Sequence, residues 1–314
     1  MRVIVTGANG FVGRATCAAL CDAGHDVTAL VRRPGGCEPR VREQVIADDI
    51  FASLSALPAA DVLVHLAARV HVMKDSAGDP LREYRAVNVE GSLNVARAVL
   101  RAGVKRLVFI SSIKALGEGE PGRPWREDDP PTPADPYGIT KLEAERALAG
   151  FGREQGMEVV VLRPPLVYGP GVRANFEQLM RAVQRGIPLP LGAIDARRSM
   201  VYVGNLADAI RFVATRSEPT DGVFHVTDGD DFSVAQTIRS LAQAFDKPAR
   251  LLPIPASWLR AAGALTGRTD QVDRLTSPLR MDSTRLREGL GWTPPTSVTQ
   301  GLAITVRAFN EARQ

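Results

Sequence analysis

Residues 3–13 read VIVTGANGFVG, and this stretch decides the fold. Its β-branched first half predicts a buried strand, and three glycines spaced three residues apart follow at once. Glycines at a strand-to-helix turn let the backbone approach a pyrophosphate, which the N-terminus of the following helix stabilises. The spacing differs from the commoner Gly-x-Gly-x-x-Gly pattern. The predicted dinucleotide-binding residues of this turn are Gly7, Asn9, Gly10, Phe11, Val12 and Gly13.

Outside this turn, short apolar runs alternate with helical patterns through the first half of the chain. The runs lie at 27–31, 45–46, 62–64, 107–110 and 159–162, and the helical patterns lie at 11–23, about 81–102 and 136–155. Strands that alternate with helices predict βαβ units and a parallel sheet. The expected fold class is α/β, a Rossmann-like doubly wound parallel sheet with a smaller C-terminal substrate-binding lobe. The expected domains are 1–165 with about 196–227 for the dinucleotide, and 166–195 with 228–314 for the substrate.

Composition describes an ordinary globular chain of 314 residues, 45% hydrophobic and 24% charged. No apolar run approaches the ~20 residues that span a bilayer, and no signal peptide precedes the first strand, so a cytoplasmic location without a membrane partner is expected. The net charge of +4 comes from scattered arginines without aromatic interleaving, which argues against nucleic acid. Neither the three cysteines nor the scattered histidines have zinc spacing, so no metal is expected; His65 and His225 fall at strand ends, where a structural role is expected.

Tyr137 and Lys141 form a candidate proton-transfer pair. A spacing of four residues puts both side chains on one face of the helix predicted over 136–155. A free tyrosine has a pKa of about 10, and an ammonium held beside it is expected to lower that pKa toward the working range. The alternative is an ordinary pair on a surface helix.

Arg32 and Arg33 follow the second strand, where an NAD site usually carries a carboxylate. Guanidinium groups can hold a 2′-phosphate through charge-assisted hydrogen bonds, so NADP(H) is favoured and NAD is possible. The alternative is that both arginines are merely solvated. Asp49 and Ile50 are expected to bracket the adenine. The segment after the fourth strand is small enough to lie along the cofactor: Leu66, Ala67 and Ala68.

Six motifs occur in one order along nearly the whole chain and are together very specific. They are the glycine turn, residues 66–68, Asn88-Val89-Glu90-Gly91, Ser111-Ser112, Tyr137-x3-Lys141 and the segment 163–170, RPPLVYGP. Together they resemble the extended short-chain dehydrogenase/reductases, in the NAD(P)-dependent epimerase/dehydratase/reductase branch that acts on nucleotide sugars and includes UDP-glucose 4-epimerase-like members. The resemblance implies an enzyme for a small-molecule nucleotide sugar, assembled as a homodimer through the helices that carry Asn88 and Tyr137.

The same resemblance implies roles for individual residues. Ser112 would hydrogen-bond the reacting sugar oxygen, Tyr137 would be the acid/base, and Lys141 would hold the nicotinamide ribose and tune Tyr137. Asn88 would support the active-site helix beside the cofactor, and Pro164 would line the cofactor. The expected substrate contacts are Asn175 and Phe176 for the uracil, Arg198 for the diphosphate, and Arg274 or Arg280 for a second phosphate contact.

One departure from the family pattern reduces the number of reactions to be expected. In the 4,6-dehydratases an Asp-Glu pair follows the catalytic hydroxyl residue, whereas Ile113 and Lys114 follow Ser112 here, so dehydration is not expected. The missing carboxylate after the second strand favours an NADPH-dependent reductase of a UDP-4-keto-6-deoxy-N-acetylhexosamine in bacterial polysaccharide (O-antigen, lipopolysaccharide) biosynthesis. The alternatives are a UDP-hexose or UDP-N-acetylhexosamine 4-epimerase and a non-catalytic NADP-sensing protein.

Overall fold

A computed structural model of the chain describes residues 1–46, 57–70, 78–267 and 269–312. Two of the expected cofactor residues, Asp49 and Ile50, lie outside the described residues. The side chain of Arg274 is also outside the description, although its backbone belongs to a described helix.

The described residues form one large parallel sheet and two short strand pairs. The strands are β1 (Arg2–Thr6), β2 (Asp26–Val31), β3 (Arg42–Val45), β4 (Val62–His65), β5 (Arg106–Ile110), β6 (Glu158–Arg163), β7 (Leu166–Tyr168), β8 (Arg197–Arg198), β9 (Met200–Tyr202), β10 (Gly222–His225) and β11 (Phe232–Ser233). The sheet order is β10-β6-β5-β4-β1-β2-β3, with every neighbouring pair parallel. Of the short pairs, β7 with β9 is parallel and β8 with β11 is antiparallel.

The helices follow the strands in the order that a doubly wound fold requires. They are α1 (Phe11–Asp22), α2 (Pro80–Arg85), α3 (Gly91–Arg101), α4 (Pro136–Gln155), α5 (Ala174–Gln184), α6 (Val203–Thr215), α7 (Val234–Ala244), α8 (Ala256–Leu265), α9 (Thr269–Thr276) and α10 (Val298–Glu311). A π-helical turn, Ala86–Glu90, joins α2 to α3, so that the helix expected over 81–102 is continuous but locally wider and underwound. A 3₁₀ turn, Ile113–Ala115, follows β5, and a second π-helical turn spans Arg285–Gly289.

Alternate residues of β1 face two separate layers, which confirms the doubly wound arrangement. Val3 and Val5 pack in one apolar cluster with α1 and α6 side chains such as Leu20 and Leu206. Ile4 packs in another cluster, with side chains from α3 and α4. Parallel sheets are covered on both faces in this way because each crossover helix needs an apolar surface to pack on. The carboxyl ends of the strands are therefore left free to carry a site.

The C-terminal part of the chain contributes to three apolar clusters. One joins β7, α5, α7 and α10 around Tyr168 and Met180. Trp292 is buried in the cluster around β1, where its indole nitrogen donates a hydrogen bond of 2.9 Å to Asp208. The chain around Trp292 thus packs on the main sheet, and the lobe boundaries given from the sequence stay a prediction.

Three other expectations concern the described residues as a whole. None of their helices is long and apolar enough to cross a membrane. Cys17, Cys21 and Cys37 are free thiols, and no group of metal-ligating side chains occurs in the described parts of the chain. The third strand was predicted at 45–46, whereas in the structure it spans Arg42–Val45. Its first three residues are polar and pair with β2 at the edge of the sheet, so they carry no apolar pattern.

Candidate active site

One cavity of about 1000 Å³ lies at the carboxyl ends of the central strands. Ligands of open α/β sheets bind at this edge. Most of the site residues expected from the sequence line it: Gly7, Asn9, Gly10, Phe11, Val12, Gly13, Arg32, Arg33, Leu66, Ala67, Ala68, Ser112, Tyr137, Lys141 and Pro164. The fold therefore brings the glycine turn and the Tyr–Lys pair, more than 120 residues apart, to a single site.

The glycine turn is a cradle that side chains would fill. A Cβ on Gly13 would lie 2.1 Å from the carbonyl oxygen of Gly7, and a Cβ on Gly7 would lie 2.8 Å from the backbone nitrogen of Ala67. Gly7 also has a φ of +67°, which favours glycine. Gly10 precedes α1 without a side-chain cap, so the first N–H groups of α1 can bind an anionic group. These residues fit the pyrophosphate of a dinucleotide.

The end of the cavity beside β2 is basic. Arg32 and Arg33 are exposed and line the cavity directly after β2. Among the described residues that line the cavity there is no aspartate or glutamate. Guanidinium groups can bind an anionic group, and the 2′-phosphate expected at this end stays a prediction.

Helix α4 is anchored so that its first turn reaches Ser112. Asp135 caps the helix by accepting a 2.7 Å hydrogen bond from the backbone nitrogen of Gly138, and Lys114 forms an ion pair with the same carboxylate. A Cβ on Gly138 would lie 2.4 Å from the carbonyl oxygen of Lys114, so only glycine permits this approach. The close packing places the Tyr137 hydroxyl within hydrogen-bonding reach of Ser112.

Burial sets the pKa values of Tyr137 and Lys141, and the expectation that Lys141 lowers the pKa of Tyr137 was wrong. Burial and the charge of Asp135 raise the pKa of Tyr137 to about 12, although the Ser112 hydrogen bond lowers it. Burial lowers the pKa of Lys141 to about 7, against the charge of Glu145. The Lys141 ammonium donates a 2.6 Å hydrogen bond to the carbonyl of Ile110, so it does not bring the pKa of Tyr137 toward neutrality.

Asn88 supports the site from behind the cavity. It is buried in the π-helical turn and does not line the cavity. Its amide oxygen accepts a 2.8 Å hydrogen bond from the backbone nitrogen of Arg69, and its amide nitrogen donates to Thr140 at 3.1 Å. The amide nitrogen of Asn88 also donates to the carbonyl of Arg69 at 3.1 Å, and the place of Asn88 among the cofactor residues stays a prediction. The geometry supports the expected bracing role, since Asn88 links α4 to the loop after β4.

A buried ion pair beneath Lys141 did not emerge from the sequence patterns. Glu145 and Arg163 have side chains only 5% exposed and form a bidentate pair, with the Arg163 Nε to Glu145 Oε1 distance at 2.9 Å. The hydroxyl of Ser111 also donates to Glu145. The available signal was the position of Glu145, one turn after Lys141 on the same helix face.

Two of the expected substrate residues stand apart from the cavity. Asn175 is exposed in the first turn of α5. Arg198 donates a 2.8 Å hydrogen bond to the carbonyl of Ser277. Neither lines the cavity, and their substrate roles stay predictions.

Two further residues expected to bind substrate, Phe176 and Arg280, make contacts within the protein. The ring of Phe176 is 6% exposed and stacks on Tyr168, and the expected role of Phe176 in binding uracil stays a prediction. Arg280 is paired with the buried carboxylate of Glu120 and is not a free phosphate ligand.

The fold and the site define a Rossmann-type enzyme that uses a nicotinamide dinucleotide. The sequence matches the NAD dependent epimerase/dehydratase family over residues 3–227. It is 42% identical to a UDP-glucose 4-epimerase of Vibrio cholerae, over 99% of this chain and 96% of that protein.

Solved structures agree with this match. A UDP-glucose 4-epimerase from Thermotoga maritima, solved with UDP-glucose, is 26% identical with a TM-score of 0.78, and MoeE5, solved with UDP-glucose and NAD, is 27% identical with the same TM-score. Each comparison covers the full length of both chains. The chain belongs to the NAD dependent epimerase/dehydratase family, within the extended short-chain dehydrogenase/reductases, and is an NAD(P)-dependent enzyme.

Proposed function

We propose that this enzyme transfers hydride at C4 of a UDP-sugar through Ser112, Tyr137 and Lys141. The observation that carries the proposal is the meeting of these three side chains with the glycine turn in one cavity. A hydroxyl donor, a phenol and an ammonium are the groups that a carbinol carbon needs when it exchanges a hydride and a proton. A nicotinamide dinucleotide, when bound, supplies the hydride acceptor and donor.

Each of the three side chains has a distinct part in this chemistry. The Ser112 hydroxyl donates a hydrogen bond to the C4 oxygen and holds it beside the phenol. Tyr137 takes the proton of the C4 hydroxyl as the hydride leaves C4, and returns it when hydride returns. Burial raises the pKa of Tyr137, which favours the protonated phenol that donates to a ketone. To accept the proton of the C4 hydroxyl, Tyr137 must first be in its phenolate form. Lys141 has a pKa of about 7, so it carries its charge in part at neutral pH and can stabilise the phenolate once a ribose hydroxyl bridges the two groups.

Epimerisation at C4 is the first candidate. A 4-epimerase needs the hydride to leave one face of C4 and return to the other, with the cofactor retained through both steps. Support comes from the relative with 42% identity and the Thermotoga neighbour, both named UDP-glucose 4-epimerases. We propose a UDP-hexose or UDP-N-acetylhexosamine as substrate.

Reduction of a UDP-4-keto-6-deoxy-N-acetylhexosamine is the second candidate, with a role in bacterial polysaccharide biosynthesis. The observation that favours it is the pair Arg32 and Arg33 at a cavity end whose described lining has no carboxylate. Two guanidinium groups select a 2′-phosphate, and NADPH is the exchangeable reductant of such reactions.

One experiment separates the two candidates. The purified protein is denatured, the released nucleotide is identified by mass spectrometry, and the folded protein is incubated with UDP-glucose and UDP-N-acetylglucosamine without added cofactor. An epimerase releases NAD and forms the C4 epimer unaided. A reductase releases little nucleotide and oxidises added NADPH only with a 4-keto sugar. Absence of both activities would refute hydride transfer at C4.

A variant pair tests the cofactor assignment independently. Replacing Arg32 and Arg33 by serine removes two charges from exposed positions without disturbing the glycine turn. Loss of two charge-assisted contacts should weaken NADPH binding roughly 10- to 100-fold and leave NADH binding unchanged. Equal effects on both nucleotides would contradict a 2′-phosphate site at these arginines.

The resemblance also supports a homodimer through the helices that carry Asn88 and Tyr137. Light scattering during gel filtration tests it directly. A mass of one chain at micromolar concentration would contradict it.

A further inference from the structure

His65 is buried at the end of β4, and both of its ring nitrogens are occupied. Its hydrogen-bonding partners, Thr6 and Ser92, are buried as completely. The Nδ1 atom of His65 lies 2.7 Å from the Thr6 hydroxyl oxygen, and the Nε2 atom lies 2.9 Å from the Ser92 hydroxyl oxygen. A buried histidine that the proposed chemistry does not use thus joins the residue before Gly7 to the first turn of α3.

The two hydroxyl groups fix the tautomer of this imidazole. The Thr6 oxygen accepts hydrogen bonds from the backbone nitrogens of residues 66–67, both at 3.2 Å, so its own proton is left to donate to Nδ1. Ser92 donates its proton to the carbonyl of Asn88 at 2.6 Å, so its oxygen is left to accept a hydrogen bond from Nε2. His65 is therefore neutral, with its proton on Nε2.

The surroundings of the ring favour the same neutral form. Burial, together with the charge of Lys141, lowers the pKa of His65 to about 3. The imidazole stacks on Phe109 with 5.8 Å between ring centroids, and Nζ of Lys141 lies 4.2 Å from the centroid of the same Phe109 ring. A second proton on the imidazole would therefore oppose the ammonium and would leave the Thr6 hydroxyl without an acceptor.

These hydrogen bonds form a closed network around one wall of the cavity. The wall is the segment 66–69, which lines the cavity directly after His65. Thr6 binds the first two backbone nitrogens of the wall, and Asn88 binds the backbone nitrogen of its last residue at 2.8 Å and the carbonyl oxygen of that residue at 3.1 Å. His65 and Ser92 connect Thr6 to Asn88 behind the wall. Both ends of the wall are thus tied to the same buried groups.

We propose that His65 is a positioning residue for the dinucleotide, because it holds the wall 66–69 against the glycine turn. A Cβ on Gly7 would lie 2.8 Å from the backbone nitrogen of Ala67, so the wall and the turn are in direct backbone contact. A shift of the wall away from the turn would widen the cavity where the dinucleotide is expected to lie. His65 does not line the cavity and acts through Thr6 and Ser92. The proposal rests on a dinucleotide site in this cavity and is independent of the proposed reaction at C4.

The tautomer of His65 can be measured on the wild-type protein by NMR. Nitrogen-15 labelling of the four histidines distinguishes protonated from unprotonated ring nitrogens by their chemical shifts. His65 should show a protonated Nε2 and an unprotonated Nδ1 at pH 7, and should keep this form at pH 5, where an exposed histidine is charged. A proton on Nδ1 at pH 7, or an imidazolium signal of His65 at pH 5, would overturn the proposal.

Two matched threonine variants test the positioning role. Thr6→Val removes the hydroxyl that binds His65 and the wall. Thr16→Val removes an equally buried hydroxyl that has no hydrogen-bond partner among the described residues. The probe is whichever of NAD and NADPH the wild type binds more tightly, and binding is measured by calorimetry well below the melting temperature. Thr6→Val should raise the Kd about tenfold, and Thr16→Val should leave it within twofold. An equal Kd for the two variants would overturn the proposal.

A double variant distinguishes positioning through one network from separate structural effects. Ser92→Ala opens the network on the other side of His65 and should also raise the Kd about tenfold. Because a single break already loosens the wall, T6V/S92A should bind at most about threefold more weakly than either single variant. Independent effects would multiply to about a hundredfold, and that result would overturn the proposal. These measurements need no sugar, so a protein without activity at C4 would refute the proposed function and leave this test unaffected.

Discussion

Replacing Glu145 by glutamine tests how the buried ion pair supports the site. Glu145 accepts two hydrogen bonds from Arg163, at 2.9 and 2.6 Å, and both side chains are only 5% exposed. Glu145→Gln leaves a buried guanidinium without a counter-charge, and breaking such a pair typically costs about 3–5 kcal/mol. With a shift of about 2 °C per kcal/mol for a chain of this size, the melting temperature should fall by about 6–10 °C.

The same substitution should alter the pH profile. The charge of Glu145 raises the pKa of Lys141, which burial has lowered to about 7. Without that charge Lys141 loses its proton at a lower pH, so the alkaline limb of the activity profile should move to lower pH.

The double variant E145M/R163M is the control. It removes both charges, so it should recover most of the lost stability while retaining the altered pH profile, since the effect on Lys141 depends on the carboxylate alone. The measurements are thermal unfolding and kcat/KM between pH 6 and 9. A melting temperature of Glu145→Gln within 2 °C of the wild type, or an unmoved alkaline limb, would refute the reasoning.

Three further predictions concern other parts of the molecule. Gly13→Ala places a Cβ 2.1 Å from the Gly7 carbonyl oxygen. The overpacking costs about 1–3 kcal/mol, so dinucleotide binding measured by calorimetry should weaken roughly 10- to 100-fold. A change in affinity below twofold would contradict this prediction. Burial lowers the pKa of both His65 and His225 to about 3, so the unfolded chain binds more protons than the folded protein below pH 6.5. The free energy of unfolding should therefore fall by about 1.4 kcal/mol for each histidine between pH 7.5 and 5.5 in urea titrations. Identical urea midpoints at the two pH values would refute this. Lys141→Met should lower kcat/KM about 10²- to 10⁴-fold without lowering the melting temperature, because it removes a buried ammonium; activity within threefold of the wild type would exclude a catalytic role.

The sequence predicts those elements best whose boundaries have local chemical signals. Helix α4 begins and ends where expected because Asp135 caps it, Pro136 opens it and Gly156 closes it with a φ of +65°. The glycine turn is similarly explicit for Gly10 and Gly13, which approach the backbone of residues 7 and 8, whereas Gly7 approaches the distant Ala67. The strand β3 was misplaced because an edge strand needs few apolar residues and gives a weak pattern.

Features that depend on tertiary packing were beyond the sequence. Spacing put Tyr137 and Lys141 on one helix face but could not show that burial would raise one pKa and lower the other. The ion pair between Glu145 and Arg163 joins helix α4 to strand β6, and no local sequence pattern predicts it.

The central claim is that Tyr137 and its neighbours exchange a hydride and a proton at C4 of a UDP-sugar. The most direct test is turnover of UDP-glucose and UDP-N-acetylglucosamine deuterated at C4, followed by NMR, with the wild type and Tyr137→Phe. The proposed epimerase gives a product inverted at C4 that keeps its deuterium, and Tyr137→Phe, which retains the ring, gives none on the same timescale. Inversion with loss of deuterium to solvent, or undiminished turnover by Tyr137→Phe, would contradict the claim.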